Sequence, residues 1–208
     1  MNNFLQQGLT KYLETTELSK IKNTKILIAG AGGVGSNAAM LLVRCGFEKI
    51  TIIDYDELEP SNLNRQFFFN EQVGTLKVCG LKENLLKINH QATITIIKER
   101  LTVDNVNNLI KNQDIILEAF DDIIAKKIIV EACHLLAKHI IAVSGIAGIG
   151  NSDKIVIRKI NNRFYMVGDF ESDINLALPP LAPKVMIAAA KQVDIVLELV
   201  IGNKEIAT

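Results

Sequence analysis

Two clusters of small and polar residues carry the chemistry this chain can do. The first is the run from Ile26 to Ser36, in which an apolar stretch turns through Gly30, Gly32, Gly33 and Gly35 into a helical pattern. A strand that turns through glycines into a helix presents backbone N–H groups to a phosphate. Gly30 permits the tight turn, Gly32 lets the backbone approach a phosphate, and Gly35 lets the helix pack closely. The second cluster runs from Asp54 through Asp56 to Ser61, Asn62, Asn64, Arg65 and Gln66. An acidic residue about 20 positions after the last glycine is where such folds hold a ribose. The loop that follows brings Asn62, Arg65 and Gln66 to the same edge. Binding a nicotinamide does not require that loop, whereas neutralising and cleaving a triphosphate does.

Further along, Asp121 and Asp122 end an apolar run, Ile115 to Phe120. A carboxylate there can hold Mg²⁺ against a polyphosphate, since hard oxygen ligands suit that ion; the alternative is an N-cap for the next helix. Lys77 opens a helix after Gly74 and either reaches ribose or phosphate or faces solvent. Phe67–Phe69 reads as an apolar anchor for the loop rather than a stacking platform. His90, His134 and His139 lack ligand spacing and read as structural or surface residues. Cys45 and Cys133 lie on helical patterns that imply burial, and Cys79 on the helix opened by Lys77. The acidic stretch Asp169–Asp173 reads as a solvated loop.

The elements that must position these residues alternate. Strands are predicted at Lys25–Ala29, Lys49–Asp54, Thr93–Ile97, Ile115–Ala119 and His139–Ser144. Helices are predicted at Gly33–Cys45, Lys77–Asn89, Val103–Asn112, Asp122–Ala137 and Pro183–Gly202. Strands separated by helices of this length imply βαβ units, hence a Rossmann-like α/β fold with a mostly parallel sheet flanked by helices. Lys154–Ile160 and Phe164–Val167 flank Asn161 and Asn162 and predict an antiparallel hairpin added to the sheet. A leading helix is predicted over 1–20, with Phe4, Leu5, Leu9, Tyr12 and Leu13 on one side. Ligands of an open parallel sheet bind beyond the carboxyl ends of its strands. The glycine turn, Asp54 with Asp56, the Asn62–Gln66 loop, Asp121 with Asp122, and Ser144 with Gly145 all fall at such ends and are expected to converge on one cleft. The whole chain reads as one domain over 1–208: a nucleotide-binding core over 20–150, then hairpin, loop and a final helix over 151–208.

Composition narrows the classes. A chain of 208 residues, 49% of them hydrophobic, can build a full core. No apolar run reaches the roughly 20 residues that span a bilayer, and the N-terminus carries Glu14 and Glu17, unlike a secretory signal. Three isolated cysteines without a Cys-x-x-Cys pair point to a reducing compartment, taken as the cytoplasm, and to no zinc clip. With 23 basic against 23 acidic residues there is no basic excess of the kind nucleic-acid binders show.

On these residues the sequence resembles the ThiF/MoeB family, the bacterial relatives of ubiquitin-activating enzymes. The resemblance rests on Gly30–Ser36, Asp54-x-Asp56, Ser61–Gln66, Gly74-x-x-Lys77 and Phe120–Asp122, and runs from about Lys20 to the final helix. Within the family it is most similar to a short ThiF-like form associated with thiamine biosynthesis, including the Gly145–Gly148 and Ala182–Val185 segments. The resemblance implies ATP-dependent adenylylation of the C-terminal carboxylate of a small ubiquitin-like, ThiS-like sulfur carrier ending in Gly-Gly, with release of pyrophosphate. It implies that Asp54 holds the ribose and Asp56 supports the nucleotide site. Asn62, Arg65 and Gln66 would contact the triphosphate, Lys77 would contact ATP, and Asp121 would bind Mg²⁺. A homodimer is expected. The zinc-binding cysteine pairs of longer members, the late catalytic cysteine of some, and an N-terminal arginine lent to a partner subunit have no counterpart in this sequence. The competing expectations are a catalytically silent carrier-binding partner, activation of a carboxyl on modified tRNA, and, more distantly, a nicotinamide oxidoreductase.

Overall fold

A computed structural model of the protein describes residues 3–173 and 177–203. Strands β1 (Lys25–Ala29), β2 (Lys49–Ile53), β3 (Thr93–Ile97), β4 (Ile115–Glu118), β5 (His139–Val143), β6 (Val156–Asn161) and β7 (Phe164–Gly168) form one sheet in the order β3-β2-β1-β4-β5-β7-β6. All neighbours are parallel except β6 and β7, the added hairpin. The two central strands, β1 and β4, are near-continuous Ile/Leu runs because helices cover both faces. Ile28 of β1, for example, sits in register with Ile52 of β2 and Leu117 of β4.

Six helices flank the sheet or its edge besides a short leading one: α1 (Phe4–Leu9), α2 (Thr15–Asn23), α3 (Gly33–Arg44), α4 (Lys77–Ile88), α5 (Val106–Ile110), α6 (Ile123–Leu135) and α7 (Ala182–Ile201). One apolar layer gathers Leu42, Phe47, Leu81, Val185 and Val196 from the α3, α4 and α7 side. The other gathers Leu101, Val106, Ile110, Ala125 and Ile129 from the α5 and α6 side. The chain leaves β1 toward β2 and β3, then returns to add β4 and β5 on β1's other edge. That reversal beside β1 opens a crevice at the strand ends, where ligands of such sheets bind.

Two expectations need correction. The leading helix is two helices, because Glu14 starts a new one: its N–H donates to the Glu17 carboxylate at 2.9 Å. Phe4 and Tyr12 are accordingly exposed rather than on a buried face. The helix expected from Val103 begins at Val106, because Thr102 and Asn105 bond each other's backbone and side chain and hold a turn there (Thr102 N to Asn105 Oδ1, 2.9 Å). Residues 1–2 of the expected leading helix, 174–176 of the expected loop and 204–208 lie outside the described residues.

Candidate functional site

The glycine turn is shaped by backbone demands that no side chain would meet. Gly30 has φ +105°, and a Cβ there would lie 2.8 Å from the Ala119 carbonyl oxygen. A Cβ on Gly35 would run into the Gly30 carbonyl, so this glycine lets the start of α3 fold against the turn. Gly32 has nothing within 4 Å of such a Cβ. Its backbone therefore borders open space at the helix N-terminus, where the partial positive charge of unpaired N–H groups favours an anion.

That space is a cavity of about 850 Å³. Gly30, Gly32, Gly33, Asp54, Asp56, Asn62, Arg65, Gln66, Lys77 and Asp121 all line it, as do Asp122, Ser144 and Gly145. Of the sequence-derived site residues only Gly35 stands behind the wall, in its packing role. The five features expected at strand ends therefore do converge.

Asp54 closes β2. Its Oδ2 accepts from the Ala31 N–H at 2.6 Å and its Oδ1 from the Asp56 N–H at 2.8 Å. Burial pushes its carboxyl above the ordinary range, against those two N–H groups and the Lys77 ammonium, which pull it down. A buried carboxylate with lone pairs to spare is suited to a pair of hydroxyl donors. Lys77 does not face solvent: only 8% exposed, it places Nζ 2.7 Å from Asp56 Oδ2. The pair fixes a cation on the cavity wall next to Asp54.

Arg65 is placed by a loop that is itself tied down. Asn62 Oδ1 accepts from the Glu59 N–H at 3.1 Å, and Asn37 Nδ2 donates to the Arg65 carbonyl at 2.8 Å. The guanidinium donates to the Ser61 carbonyl at 2.9 Å and to Asn64 Oδ1 at 2.8 Å. Burial pulls its pKa down and the Asp121 carboxylate opposes that; both groups line the cavity. Phe68 is buried and Phe67 meets Phe69 edge to face at 5.9 Å, so this run anchors the loop as expected. Gln66 Oε1 is buried at the wall without a hydrogen-bond partner among the described residues.

Of the two neighbouring aspartates, one takes the N-cap role that the sequence offered. Asp122 is the N-cap of α6, accepting from the Ile124 N–H at 2.8 Å. Asp121 is left exposed and lines the cavity, as Arg65 does. Mg²⁺ ordinarily takes one or two protein carboxylates, with phosphate oxygens and water completing its shell. A single carboxylate on the wall of this cavity fits that pattern, and no cluster of three His, Cys, Asp or Glu is found among the described residues.

Several wall residues escaped sequence reasoning. Lys126 of α6 donates to Glu118 Oε2 at 2.5 Å and to the Val143 carbonyl at 2.7 Å, and Glu118 Oε1 accepts from the Phe120 N–H at 2.8 Å. This fully buried carboxylate thus frames the turn that presents Asp121. A lysine on a predicted helix face gives no sign of such a partner. Tyr55 and Arg100 were equally unmarked. The acidic stretch after Gly168 is ordered rather than simply solvated: Asp169 accepts from Glu171 N, Ser172 N and Ser172 Oγ, and Ser172 and Asp173 reach the cavity. Cys133 is buried, its thiol pushed up to about 12, whereas Cys45 and Cys79 are only half-buried and none of the three lines the cavity. His90 and His134 are exposed, His139 is half-buried, and all three lie outside the cavity. No helix among the described residues is long and apolar enough to cross a membrane.

The model of the ThiF family matches residues 6–206. The Aedes aegypti adenylyltransferase and sulfurtransferase MOCS3 is 35% identical over 128 residues, which cover 61% of this chain and 29% of that protein. The Candida albicans adenylyltransferase and sulfurtransferase UBA4 is 36% identical over 132 residues, covering 63% and 30%. The match thus spans under a third of these relatives' length. Among solved structures, the Escherichia coli tRNA N6-threonylcarbamoyladenosine dehydratase in complex with ATP superposes with a TM-score of 0.85 at 21% identity, covering 93% of this chain and 92% of that one. Escherichia coli MccB with ATP gives a TM-score of 0.72 at 21% identity, covering 96% and 64%. At such identities the likeness is one of fold.

Proposed function

The chain belongs to the ThiF family, and from that premise we propose that it adenylylates the C-terminal carboxylate of a small ubiquitin-like sulfur carrier ending in Gly-Gly, of the ThiS type used in thiazole formation for thiamine. A carboxylate oxygen of the carrier attacks the α-phosphorus of ATP. The bond from that phosphorus to the bridging oxygen of the β-phosphate breaks, pyrophosphate leaves, and an acyl adenylate remains. Charges and atoms balance without a protein nucleophile, so positioning and charge compensation are the tasks left to the chain.

The residues divide those tasks by place. Backbone N–H groups at Gly32 and Gly33 receive phosphate oxygens, and Asp54 takes the ribose hydroxyls. Lys77, held by Asp56, and Arg65 offset the charge that accumulates on the departing pyrophosphate. Asn62 and Gln66 fix the triphosphate's position. Asp121 would hold Mg²⁺, which when bound lowers the repulsion between the triphosphate and the incoming carboxylate. The observation that carries the reading is that Arg65 and Asp121 line one cavity with the glycine turn. A silent scaffold has no use for that arrangement, and a nicotinamide site none for the Asn62–Gln66 loop.

The test is exchange of labelled pyrophosphate into ATP with Mg²⁺ and a Gly-Gly-terminated carrier, with a parallel arm containing tRNA in place of the carrier. Carrier-dependent exchange supports the proposal. Exchange with tRNA alone would move the activity to a nucleic-acid carboxyl, and none in either arm would favour the silent-partner reading.

A further inference from the structure

The cavity has two chemically different ends. On the α3 and α7 side lie the glycine turn, Arg65 and Val185; on the α5 and α6 side its wall is Leu101, Phe120 and Ala125, all drawn from the second apolar layer. Asp54, at the end of β2, stands between them. If phosphates occupy the first end and the ribose meets Asp54, the base falls against the apolar second end. Over that end runs a bridge. Arg100, three residues beyond β3, reaches Asp122, at the head of α6 beyond β4, with Nη2 2.8 Å from Oδ2. In the sheet β2 and β1 lie between those two strands, so the bridge arches over the ends that carry Asp54 and Gly30. Tyr55 puts its ring 5.5 Å from the same guanidinium.

Both roots of the bridge are fixed. The Arg100 carbonyl accepts from Asn105 Nδ2 at 2.9 Å, and Asp122 is held by its cap to Ile124. The span between them is open to water, with 62% of the Arg100 side chain and 28% of that of Asp122 exposed. An ion pair so exposed adds little to stability, so fold stability does not account for its presence over the cavity. A planar guanidinium stacks on aromatic faces as readily as it pairs with carboxylates.

We propose that Arg100 is the base-gripping residue of the nucleotide site: tethered by Asp122 and backed by Tyr55, it stacks on the face of the purine and closes it against Leu101 and Ala125. This deepens the reading of the cavity as an ATP site and rests on it. Arg100 is a positioning residue that acts on binding and leaves the departing phosphates to Arg65 and Lys77.

The experiment measures AMP binding calorimetrically and exchange kinetics for wild type, Arg100→Ala and Arg100→Lys. AMP lacks the β- and γ-phosphates, so it isolates the base end. Loss of a stacked guanidinium is expected to raise the AMP Kd about 3- to 30-fold. The KM for ATP should rise in step, with kcat within about twofold of wild type and the melting temperature unchanged. Lysine, without a planar face, should recover only a minor part. An unchanged AMP Kd in Arg100→Ala, full recovery by lysine, or a loss confined to kcat would each overturn the proposal while leaving the ATP site standing. Failure of the wild type to bind AMP or ATP would overturn both.

Discussion

Substituting Lys126 by Met tests whether the wall behind Asp121 is held as described. Glu118 has no exposed surface, and the lysine supplies a countercharge at 2.5 Å from Oε2. Removing one partner of a buried ion pair costs roughly 3–5 kcal/mol, because the other charge is left uncompensated. In a chain of this length each kcal/mol moves the midpoint by about 2–4 °C, so at pH 7.5 the variant should melt about 6–20 °C below wild type. The deficit should depend on pH with a defined sign. Burial already holds the Glu118 carboxyl above the ordinary range and Lys126 opposes it, so the substitution raises it further. An acid whose folded pKa exceeds its unfolded value binds its proton more tightly in the folded state. Stability therefore falls as pH climbs from the ordinary glutamate range, about 4.3, through the raised folded value. The variant should lie nearest wild type at about pH 5 and diverge toward pH 7.5. Glu118→Gln added to Lys126→Met removes the stranded charge and should recover most of the loss. Scanning calorimetry at the two pH values reads all of this. A midpoint within about 2 °C of wild type at pH 7.5, or a deficit that ignores pH, would refute the reasoning.

Other expectations follow from the same geometry. Arg65→Ala should slow carrier-dependent pyrophosphate exchange by about 10²–10³-fold, the scale for one lost transition-state charge contact; a near-normal rate takes Arg65 out of the mechanism. Asp121→Asn should shift the Mg²⁺ requirement of exchange upward, whereas Asp122→Asn, which keeps its cap acceptor, should not; equal Mg²⁺ curves for Asp121→Asn and wild type would contradict the metal role. Because Asp54 sits above the ordinary carboxylate range and its charged form is the one that receives two hydroxyls, AMP affinity should weaken as pH falls through that raised value. Calorimetric titrations from pH 7 downward would show it, and a flat profile would argue against the ribose contact. Gly35→Ala, whose Cβ would meet the Gly30 carbonyl, should abolish nucleotide binding by displacing the head of α3; wild-type affinity in that variant would exclude a close turn.

Much of the site was legible in the sequence because its residues sit at punctuated positions. Glycines after a β-branched run, Asp54 at a strand end and Asn62–Gln66 in a loop that neither periodicity claims can be placed once the strands are placed. The parallel arrangement followed from the alternation of strands and helices, and the terminal hairpin from Asn161 and Asn162 between two short strand patterns. What escaped was of a different kind. Lys126 reads as one more polar helix position until the fold brings Glu118 beneath it, and Arg100 as a charge after a strand until α6 brings Asp122 across. Asp121 and Asp122 could be told apart only by where α6 begins. Break points within helical patterns, at Glu14 and at Thr102, depend on side-chain to backbone bonds that average periodicity does not register.

The central placement is that of a triphosphate between the glycine turn, Arg65 and Asp121. A crystal structure with a non-hydrolysable ATP analogue and Mg²⁺ tests it most directly. It should put phosphate oxygens within hydrogen-bond reach of the Gly32–Gly33 amides and the Arg65 guanidinium, with the metal on Asp121 and the ribose on Asp54. An analogue bound with its phosphates turned away from Arg65, or seated elsewhere on the sheet, would contradict the account.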